Sequence, residues 1–304
     1  VGVHPGARAY LFPSLGAYGG GDIVAVALAS GRDRDKRTRL FSDVGTNCEI
    51  VLARGDEDGG LRLLATAAPA GPAFEGAAIR CGMRAAPGAI EGVKISDEDV
   101  SLQVIGDVEP VGLCGSGLVD AVAALVQAKL LDASGRLLDA DTASRTHPGL
   151  AERLRKVGEE RVFVLHWARP ETDGTAADLT GAIYLSQRDV RELQFAKAAI
   201  ATGWRLLIEQ LGLAAADIQQ VLLAGSFGSY LAPTSAVRIG LVPDIPTLRI
   251  ISAGNVAGEG AKMALLSIRE RAAARALLEE VHYVELSDRP DFNDRFVDQL
   301  GFAP

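Results

Sequence analysis

The segment DVGTNCEI, residues 43–50, interrupts an apolar run with a carboxylate, a glycine and small polar side chains. Apolar residues precede it at 40–41 and follow it at 51–52, so strand-forming residues lie on both sides. A tight polar turn between two apolar runs predicts a β-hairpin. The next apolar run, residues 61–66, follows the polar connection RGDEDGG, which has the composition of a second hairpin loop. The sequence therefore predicts a three-stranded antiparallel meander.

The second half of the chain uses a different unit, in which a strand is followed by a glycine turn and a helix. Residues 220–224 (QVLLA) form a short apolar strand before the turn GSFGSY, and residues 248–252 form another before the helix start SAGNVAGEG. Such alternation predicts parallel strands joined by crossovers. A meander followed by crossovers is the order of a ribonuclease-H-like lobe, and such lobes in pairs make the actin-type nucleotide fold. The predicted fold class is therefore α/β, an actin-type ATPase lobe with part of a second lobe at the N-terminus.

The charged loop GRDRDKRTR marks the expected boundary between the two lobes. Residues 1–38 are interpreted as a remnant of the first ATPase lobe, with a strand over residues 7–15 and a helix over residues 22–30. Residues 39–304 are interpreted as the second lobe. Within it we expect an insertion rich in Gly, Ala and Pro around residues 68–110, and a helix at the C-terminus.

The most regular helix is predicted over residues 186–211. Ser186 and Asp189 have the spacing of a capping-box variant, and apolar residues recur behind them with helical periodicity. Lys197 interrupts the apolar stripe of this helix. Two interpretations remain open for Lys197: its amine reaches a nucleotide, or it extends over the helix edge to water.

Composition excludes several classes of function. The chain has 304 residues, 48% of them hydrophobic, which is enough for a large buried core. A formal net charge of -8 without any run of Lys or Arg argues against nucleic-acid binding. No apolar stretch reaches about 18 residues, and no secretory leader is recognisable, so we expect a cytoplasmic protein without a membrane span. Cys48, Cys81 and Cys114 are an odd set without a C-x-x-C motif, which disfavours disulfides and a metal site.

The opening hairpin has the residue types of a phosphate site. Gly45 allows backbone N–H groups to come close to a ligand, and Thr46 and Asn47 carry groups that can donate hydrogen bonds to phosphate oxygens. Asp43 can hold a hydrated Mg²⁺ and is the candidate catalytic and metal-binding residue. The alternative is an ordinary hairpin turn in which Asp43 bonds its own backbone.

Two further glycine-rich loops are candidates for ligand contact. Gly225 and Gly228 follow the strand at 220–224, where a ligand that crosses the carboxyl ends of parallel strands needs clearance; the alternative is a plain strand-to-helix turn. In the segment GLCGSGLVDAV a helix start offers free N–H groups to an anion; the alternative is a serine N-cap between flexible glycines. The residues concerned in this helix start are Gly115, Ser116 and Gly117.

Five segments together resemble one protein family. They are DVGTNCEIVL, GPAFEGAAIRCGMRAAPGAIE, GLCGSGLVDAV, QRDVRELQFAKAAI and LLAGSFGSYL. The chain resembles the C-terminal part of the reductive activators of corrinoid proteins, ferredoxin-like activators whose ATPase portion belongs to the acetate and sugar kinase, heat-shock chaperone and actin superfamily. The resemblance runs over residues 7–266, and the GPAFEGA block is specific to the activators. It implies a protein that uses ATP to drive an electron from an iron–sulfur domain onto a Co(II) corrinoid, which regenerates Co(I) for a methyltransferase system.

The resemblance also implies roles for particular residues. The residues implied at the second phosphate loop are Asp43, Gly45, Thr46 and Asn47. Those implied at the adenosine loop are Gly225, Ser226, Phe227 and Gly228. Those implied on a helix face near the nucleotide are Arg188, Glu192 and Lys197. The implied cofactors are ATP and Mg²⁺, and the implied partners are a corrinoid protein and the iron–sulfur domain of a parent chain.

Departures from the family pattern limit these expectations. The two-iron two-sulfur domain and the first phosphate loop are expected upstream of Val1, so we expect this chain by itself to turn over ATP poorly and to have no redox activity. Cys48 stands where the family usually has glycine. Two alternatives remain open: a small-molecule kinase of the sugar or acetate type, with Asp22 as its carboxylate, and a non-catalytic docking module for a corrinoid protein. Whether the chain forms a homodimer is also open.

Overall fold

The computed structural model describes residues 2, 4–16, 19–30, 36–55, 60–96, 98–168 and 179–302. Its strands are Arg39–Val44 (β1), Cys48–Gly55 (β2), Leu61–Ala68 (β3), Ala89–Ile95 (β4), Val100–Val104 (β5), Gly112–Leu113 (β6), Leu154–Val157 (β7), Glu160–His166 (β8), Ile183–Ser186 (β9), Gln220–Ala224 (β10), Ile250–Gly254 (β11) and Val281–Tyr283 (β12). Its α-helices are Gly21–Ala29 (α1), Gly115–Gln127 (α2), Ala140–Ala143 (α3), Pro148–Ala151 (α4), Gln187–Gln210 (α5), Gly225–Gly228 (α6), Pro233–Arg238 (α7), Val256–Leu266 (α8), Ile268–Glu280 (α9) and Phe292–Asp298 (α10). None of these helices combines the length and the hydropathy that a bilayer-spanning helix needs.

A six-stranded sheet in the order β11-β10-β1-β2-β3-β12 forms the centre of the molecule. Strands β1, β2 and β3 pair antiparallel, as the two hairpin signals predict. Strands β10 and β11 then extend the sheet beside β1 in parallel, and β12 pairs in parallel with β3 at the other edge. The predicted meander followed by crossovers is confirmed, and with it the α/β fold class.

Helices cover both faces of this sheet because alternate residues of each strand point to opposite sides. On one face Leu40 and Ile50 pack into a core with α2 and α5. On the other face Phe41 and Val51 pack into a core with α1, α8 and α9. The predicted capping box of α5 is present: the Ser186 side chain accepts from the backbone of residue 189, and the carboxylate there accepts from the Ser186 N–H.

The N-terminal segment packs onto the same sheet. Ile23 and Val24 of α1 are fully buried against the core that contains Phe41. Helix α8 crosses α1 at Gly260, where an added Cβ would overlap the Ala25 carbonyl oxygen. Within the described residues, α1 is therefore part of one packed body with the sheet. The assignment of residues 1–38 to a first lobe stays a prediction.

Several local predictions need correction or lie outside the described residues. Residues 7–15 are not a strand: Tyr10 and Phe12 hold this segment by packing edge to face and against the α1 core, without a ladder partner. The insertion around residues 68–110 is more ordered than its composition indicates, since β4 pairs antiparallel with β5 and parallel with β6. Most of the charged boundary loop and the connection between β2 and β3 lie outside the described residues.

Candidate functional site: a cavity beside the first hairpin

The two predicted ligand corners lie next to each other at one edge of the central sheet. Strand β1 pairs in parallel with β10, and the register places Asp43 beside Ala224. The next residue, Gly225, has a φ of +89°, and an added Cβ there would overlap the Asp43 carboxylate. Only glycine fits this position, because both the backbone conformation and the space exclude a side chain. The hairpin after β1 and the glycine corner after β10 therefore form one continuous feature.

A cavity of about 620 Å³ opens beside this feature, and we call it the hairpin cavity. Its walls come from the β1–β2 hairpin, the turn Pro72–Glu75, the first residues of α2 and the corner after β10. The residues that matter for its chemistry are Gly45, Phe74, Glu75, Gly115, Ser116, Phe227 and Tyr230. Of the sequence-predicted residues, it brings together Gly45, Gly115, Ser116 and Phe227.

Two stacked phenylalanines form an aromatic wall of the hairpin cavity. The ring centroids of Phe74 and Phe227 are 4.8 Å apart, and the ring planes are inclined by 23°. Helix α2 begins directly against this pair, since a Cβ on Gly115 would overlap the Phe74 carbonyl oxygen and lie 2.7 Å from the Phe227 ring. Aromatic faces of this kind stack well on planar bases. Phe74 lies in the GPAFEGA segment, which carries part of the family resemblance but had no predicted role.

The start of α2 lies in the cavity wall without a serine cap. Its N-cap is Cys114, which makes no side-chain cap hydrogen bond among the described residues, so the serine N-cap interpretation is wrong. Ser116 is buried, with its hydroxyl 3.4 Å from the Cys114 sulfur. Gly117 faces away from the cavity, because an added Cβ would overlap the Ile90 carbonyl oxygen. The glycines thus serve close packing, and the uncapped first turn leaves N–H groups for a ligand.

Thr46 and Asn47 are placed differently from the prediction. The Thr46 hydroxyl donates a hydrogen bond to the Glu75 carboxylate. The Thr46 carbonyl oxygen accepts a hydrogen bond from the Gly71 N–H at 2.8 Å. Asn47 lies in the wall of a separate pocket of about 200 Å³, beside Pro69. In this state neither side chain offers a donor to the hairpin cavity. The Thr46–Glu75 contact joins residues 29 apart and was not predicted.

Three carboxylates lie near each other on the face of β1 that points away from the hairpin cavity. Alternation along the strand puts Asp43 on the side of Phe41 and α1, where Glu49 is its cross-strand neighbour and Asp22 begins α1. Burial and the charge of Asp22 raise the pKa of Asp43. Burial, followed by the charges of Asp22 and Asp43, raises the pKa of Glu49 to about 7. The sequence did not single out Glu49, although its position opposite Asp43 follows from the hairpin.

This carboxylate group fits a hydrated cation better than a directly ligated one. Within the described residues, no group of three His, Cys, Asp or Glu side chains is close enough to hold a metal ion. Burial and then the charge of Asp22 raise the pKa of both Asp43 and Glu49, and a nearby positive charge would offset both effects. A Mg²⁺ ion that keeps its water ligands and interacts with one carboxylate needs no group of three protein ligands, and it supplies the positive charge.

The α5 residues that were predicted near the nucleotide lie away from the hairpin cavity. Arg188 is exposed, lies 3.9 Å from Glu192, and borders a shallow groove with Arg161 rather than the hairpin cavity. Lys197 is 3% exposed and donates to the Gly301 carbonyl oxygen beneath the Phe302 ring. Residues from the C-terminal end of the described chain cover it, so neither of the two interpretations of Lys197 holds.

Only some residues of the predicted adenosine corner lie at the hairpin cavity or are required there sterically. Phe227 lies in the cavity wall, and Gly225 is required sterically. Gly228 is not required sterically, because an added Cβ would lie 3.5 Å from the Leu223 carbonyl carbon, which is an ordinary contact distance. The backbone of Ser226 belongs to α6, and its side chain lies outside the described atoms.

Comparison with known families agrees with this geometry. Residues 37–304 match the family described as the C-terminal domain of RACo, the ASKHA domain. The chain belongs to this family. The resemblance stated from the motifs is confirmed, and membership of the RACo ASKHA family implies that this domain binds ATP.

Relatives of the RACo ASKHA domain include two characterised proteins and a solved structure. The corrinoid activation enzyme RamQ of Eubacterium limosum is 36% identical over 301 residues, which are 99% of this chain and 48% of that protein. The [Co(II) methylated amine-specific corrinoid protein] reductase of Methanosarcina barkeri is 26% identical over 258 residues, 78% of this chain and 40% of that protein. The structure of a reductive activator for corrinoid, iron–sulfur protein superposes with a TM-score of 0.80 at 37% identity, covering 96% of this chain and 44% of that one. The chain thus spans about half the length of the relatives it matches.

Proposed function

We propose that this chain is the ATP-binding portion of an activator that couples ATP hydrolysis to the reduction of a Co(II) corrinoid to Co(I) in a methyltransferase system. The observation that carries the proposal is the contact of Gly225 with Asp43 beside the hairpin cavity. This contact brings together the two loops that a bound nucleotide must span. The relatives that share this domain are a corrinoid activation enzyme and a corrinoid protein reductase, which supports the same role here.

In this proposal the nucleotide occupies the hairpin cavity. The base and ribose lie against Phe227 and the backbone after Gly225, and the polyphosphate extends toward Gly45 and the first turn of α2. Gly45 lets the phosphates come close to the hairpin backbone because it has no side chain, and the positive end of α2 favours the phosphate charges. Phe74 supports Phe227 from behind, so the family-specific turn is part of the nucleotide site.

Asp43, whose carboxylate lies at the Gly225 corner rather than in the cavity wall, is proposed to hold Mg²⁺ through water. When bound, the ion neutralises charge on the phosphate oxygens during phosphoryl transfer. Burial and then the charge of Asp22 raise the pKa of Asp43, which makes the carboxylate responsive to a nearby cation. The Thr46 hydroxyl can donate to a phosphate oxygen only after it leaves Glu75, so nucleotide binding has to break that bond.

The partners of the whole protein are proposed from the family resemblance. The corrinoid protein is the electron acceptor, and an iron–sulfur domain of the parent chain, with a two-iron two-sulfur cluster, is the donor. A cytoplasmic location is proposed because free cysteines are stable there: Cys48 and Cys114 are buried thiols, and Cys81 is partly buried.

The test compares Asp43→Asn with a matched variant, Asp141→Asn, which changes an exposed carboxylate in the first turn of α3. We expect Asp43→Asn to weaken Mg²⁺-dependent ATP binding by calorimetry about tenfold, ~1.4 kcal/mol, and Asp141→Asn to leave it unchanged. In the parent activator, Asp43→Asn should slow formation of Co(I), followed by its absorbance in the corrinoid protein. Phosphorylation of a sugar or acetate would contradict the proposal. Binding of the corrinoid protein without any effect of ATP would favour a docking module.

A further inference from the structure

A second cavity lies at the other end of α2. It has a volume of about 870 Å³, which is within the range of small-molecule sites, and we call it the α2–α7 cavity. Helix α2 has 13 residues, so about 20 Å of helix separate this cavity from the hairpin cavity. Its walls are mainly apolar and include Val126, Val237 and Phe302. It is a site separate from the proposed nucleotide site.

Cations collect around the α2–α7 cavity although the chain carries a net charge of -8. Lys129, Arg205 and Arg238 line it, and none of the three forms an ion pair within the described residues. Two carboxylates also line it. Asp132 is already engaged, because it accepts from the backbone N–H groups of its own turn, and Asp244 is exposed. The cavity therefore has an excess of unpaired positive charge.

Lys197 adds a buried cation behind the wall. Its amine has one hydrogen bond, to Gly301, and lies 5.1 Å from the centre of the Phe302 ring. It is also 3.9 Å from the point where a Cβ on Gly240 would lie, and Gly240 and Phe302 both line the cavity. Burial and then the charge of Arg205 lower the pKa of Lys197 to about 8. A buried amine beside a second cation lacks a counter-charge, which an anion in the cavity would supply.

Helix capping does not account for these cations. The carbonyl of Leu125 at the end of α2 accepts from the Leu130 N–H at 2.9 Å. The carbonyl of Ala236 at the end of α7 accepts from the Leu241 N–H at 2.9 Å. Backbone groups thus satisfy the helix ends without Lys129 or Arg238. Lys129 moreover has a φ of +57°, a conformation that favours glycine.

We propose that the α2–α7 cavity binds a small organic anion with an apolar body. The apolar part of the ligand lies against Val126, Val237 and Phe302. Its charged group lies between Arg205 and Gly240, the glycine that leaves space in front of the Lys197 amine. Arg205 is pre-positioned, because its guanidinium lies 4.5 Å from the centre of the Trp204 ring. A pocket that combines apolar walls with few charged groups selects ligands of this class.

The test uses 8-anilinonaphthalene-1-sulfonate, an aromatic molecule with one sulfonate, added with excess Mg-ADP to occupy the hairpin cavity. We expect saturable binding at one site, seen as enhanced fluorescence of the dye. Arg205→Gln and Lys197→Met should each weaken it about tenfold, since each removes a positive charge beside the proposed anion: an exposed one at Arg205 and a buried one at Lys197. Arg275→Gln, an exposed arginine on α9 outside the cavity, is the matched control and should bind as the wild type does. Circular dichroism checks that each variant is folded.

A second arm separates charge from apolar burial. Hexanoate should displace the dye, and hexylamine, of equal chain length and opposite charge, should not. Equal displacement by both compounds would overturn the proposal, because the cavity would then be an apolar groove. Wild-type affinity in the folded Arg205→Gln and Lys197→Met variants would also overturn it. So would dye binding that Mg-ADP abolishes, since the dye would then occupy the hairpin cavity.

Discussion

The Thr46 hydroxyl donates a hydrogen bond to the Glu75 carboxylate at the edge of the hairpin cavity. This bond connects the β1–β2 hairpin with the turn Pro72–Glu75, whose Phe74 supports the aromatic wall. It also puts a negative charge where the proposed polyphosphate must approach. The free domain is therefore held in a state that competes with nucleotide.

Replacing Glu75 with Gln should strengthen nucleotide binding. The variant removes a like charge near the phosphates and weakens the bond that holds the Thr46 hydroxyl, because a neutral amide oxygen is a weaker acceptor than a carboxylate. We therefore expect Mg-ATP affinity to rise about threefold to tenfold, ~1 kcal/mol, by calorimetry. Glu91→Gln is the control, because Glu91 also lines the cavity but accepts from Gln103 rather than from the hairpin. Weaker binding in Glu75→Gln would mean that this carboxylate helps to hold the nucleotide or its metal ion.

Two glycines of the adenosine corner should respond differently to alanine. Gly225→Ala places a Cβ on the Asp43 carboxylate at a positive φ, so we expect a loss of about 2–4 kcal/mol in the free energy of unfolding and loss of ATP binding. Gly228→Ala adds a methyl group at ordinary contact distance and should change the free energy of unfolding by less than about 1 kcal/mol. Urea denaturation of both variants measures the difference. Equal effects would remove the special role of Gly225.

Replacing Glu49 with Gln should stabilise the domain above neutral pH. The pKa of Glu49 is raised from 4.5 to about 7, so the folded state retains its proton longer than the unfolded state. Stability is therefore lost as pH rises from about 4.5 to about 7, and the cost of the ionised group is complete above that window. We expect Glu49→Gln to be about 1–2 kcal/mol more stable than the wild type at about pH 8, after allowance for partial exposure, and equal to it at about pH 4. A constant difference across this range would contradict the prediction.

Lys197 should give a pH dependence of the opposite sign. Its pKa is lowered from 10.5 to about 8, so between these values the unfolded state binds more protons and stability rises with pH. The Lys197→Met variant lacks this pH-dependent contribution to stability. We expect the stability of the variant relative to the wild type to fall as pH rises from about 8 to about 10.5, measured by urea denaturation. Lys262→Met, at an exposed lysine that bonds Glu259, should show no such trend.

Local signals in the sequence were sufficient for the framework. The alternation around DVGTN, the run QVLLA and the Ser186–Asp189 cap each depend on neighbours within a few residues, and the structure has all three. From them the antiparallel meander, the later parallel strands and the meeting of the two corners follow. The features that depend on contacts between adjacent strands could therefore be predicted from the sequence.

The site was predicted less well because its contacts join distant parts of the chain. Lys197 is covered by a residue 104 positions away, and Thr46 is bonded to one 29 positions away. Helical periodicity shows which face of α5 is apolar, but not what lies on that face. Phe74 and Glu75 lack a periodic pattern of their own, so only the folded turn reveals them as neighbours of the hairpin.

The parallel pairing of β12 with β3 has a consequence for synthesis on the ribosome. The Thr66 hydroxyl donates to the Val284 carbonyl oxygen at 2.7 Å across 218 residues of chain. Until that late segment leaves the exit tunnel, β3 presents an unprotected apolar border to other nascent chains. Truncations that remove β12 should therefore accumulate in inclusion bodies, and translation of the intact protein should depend on chaperones that shield this border.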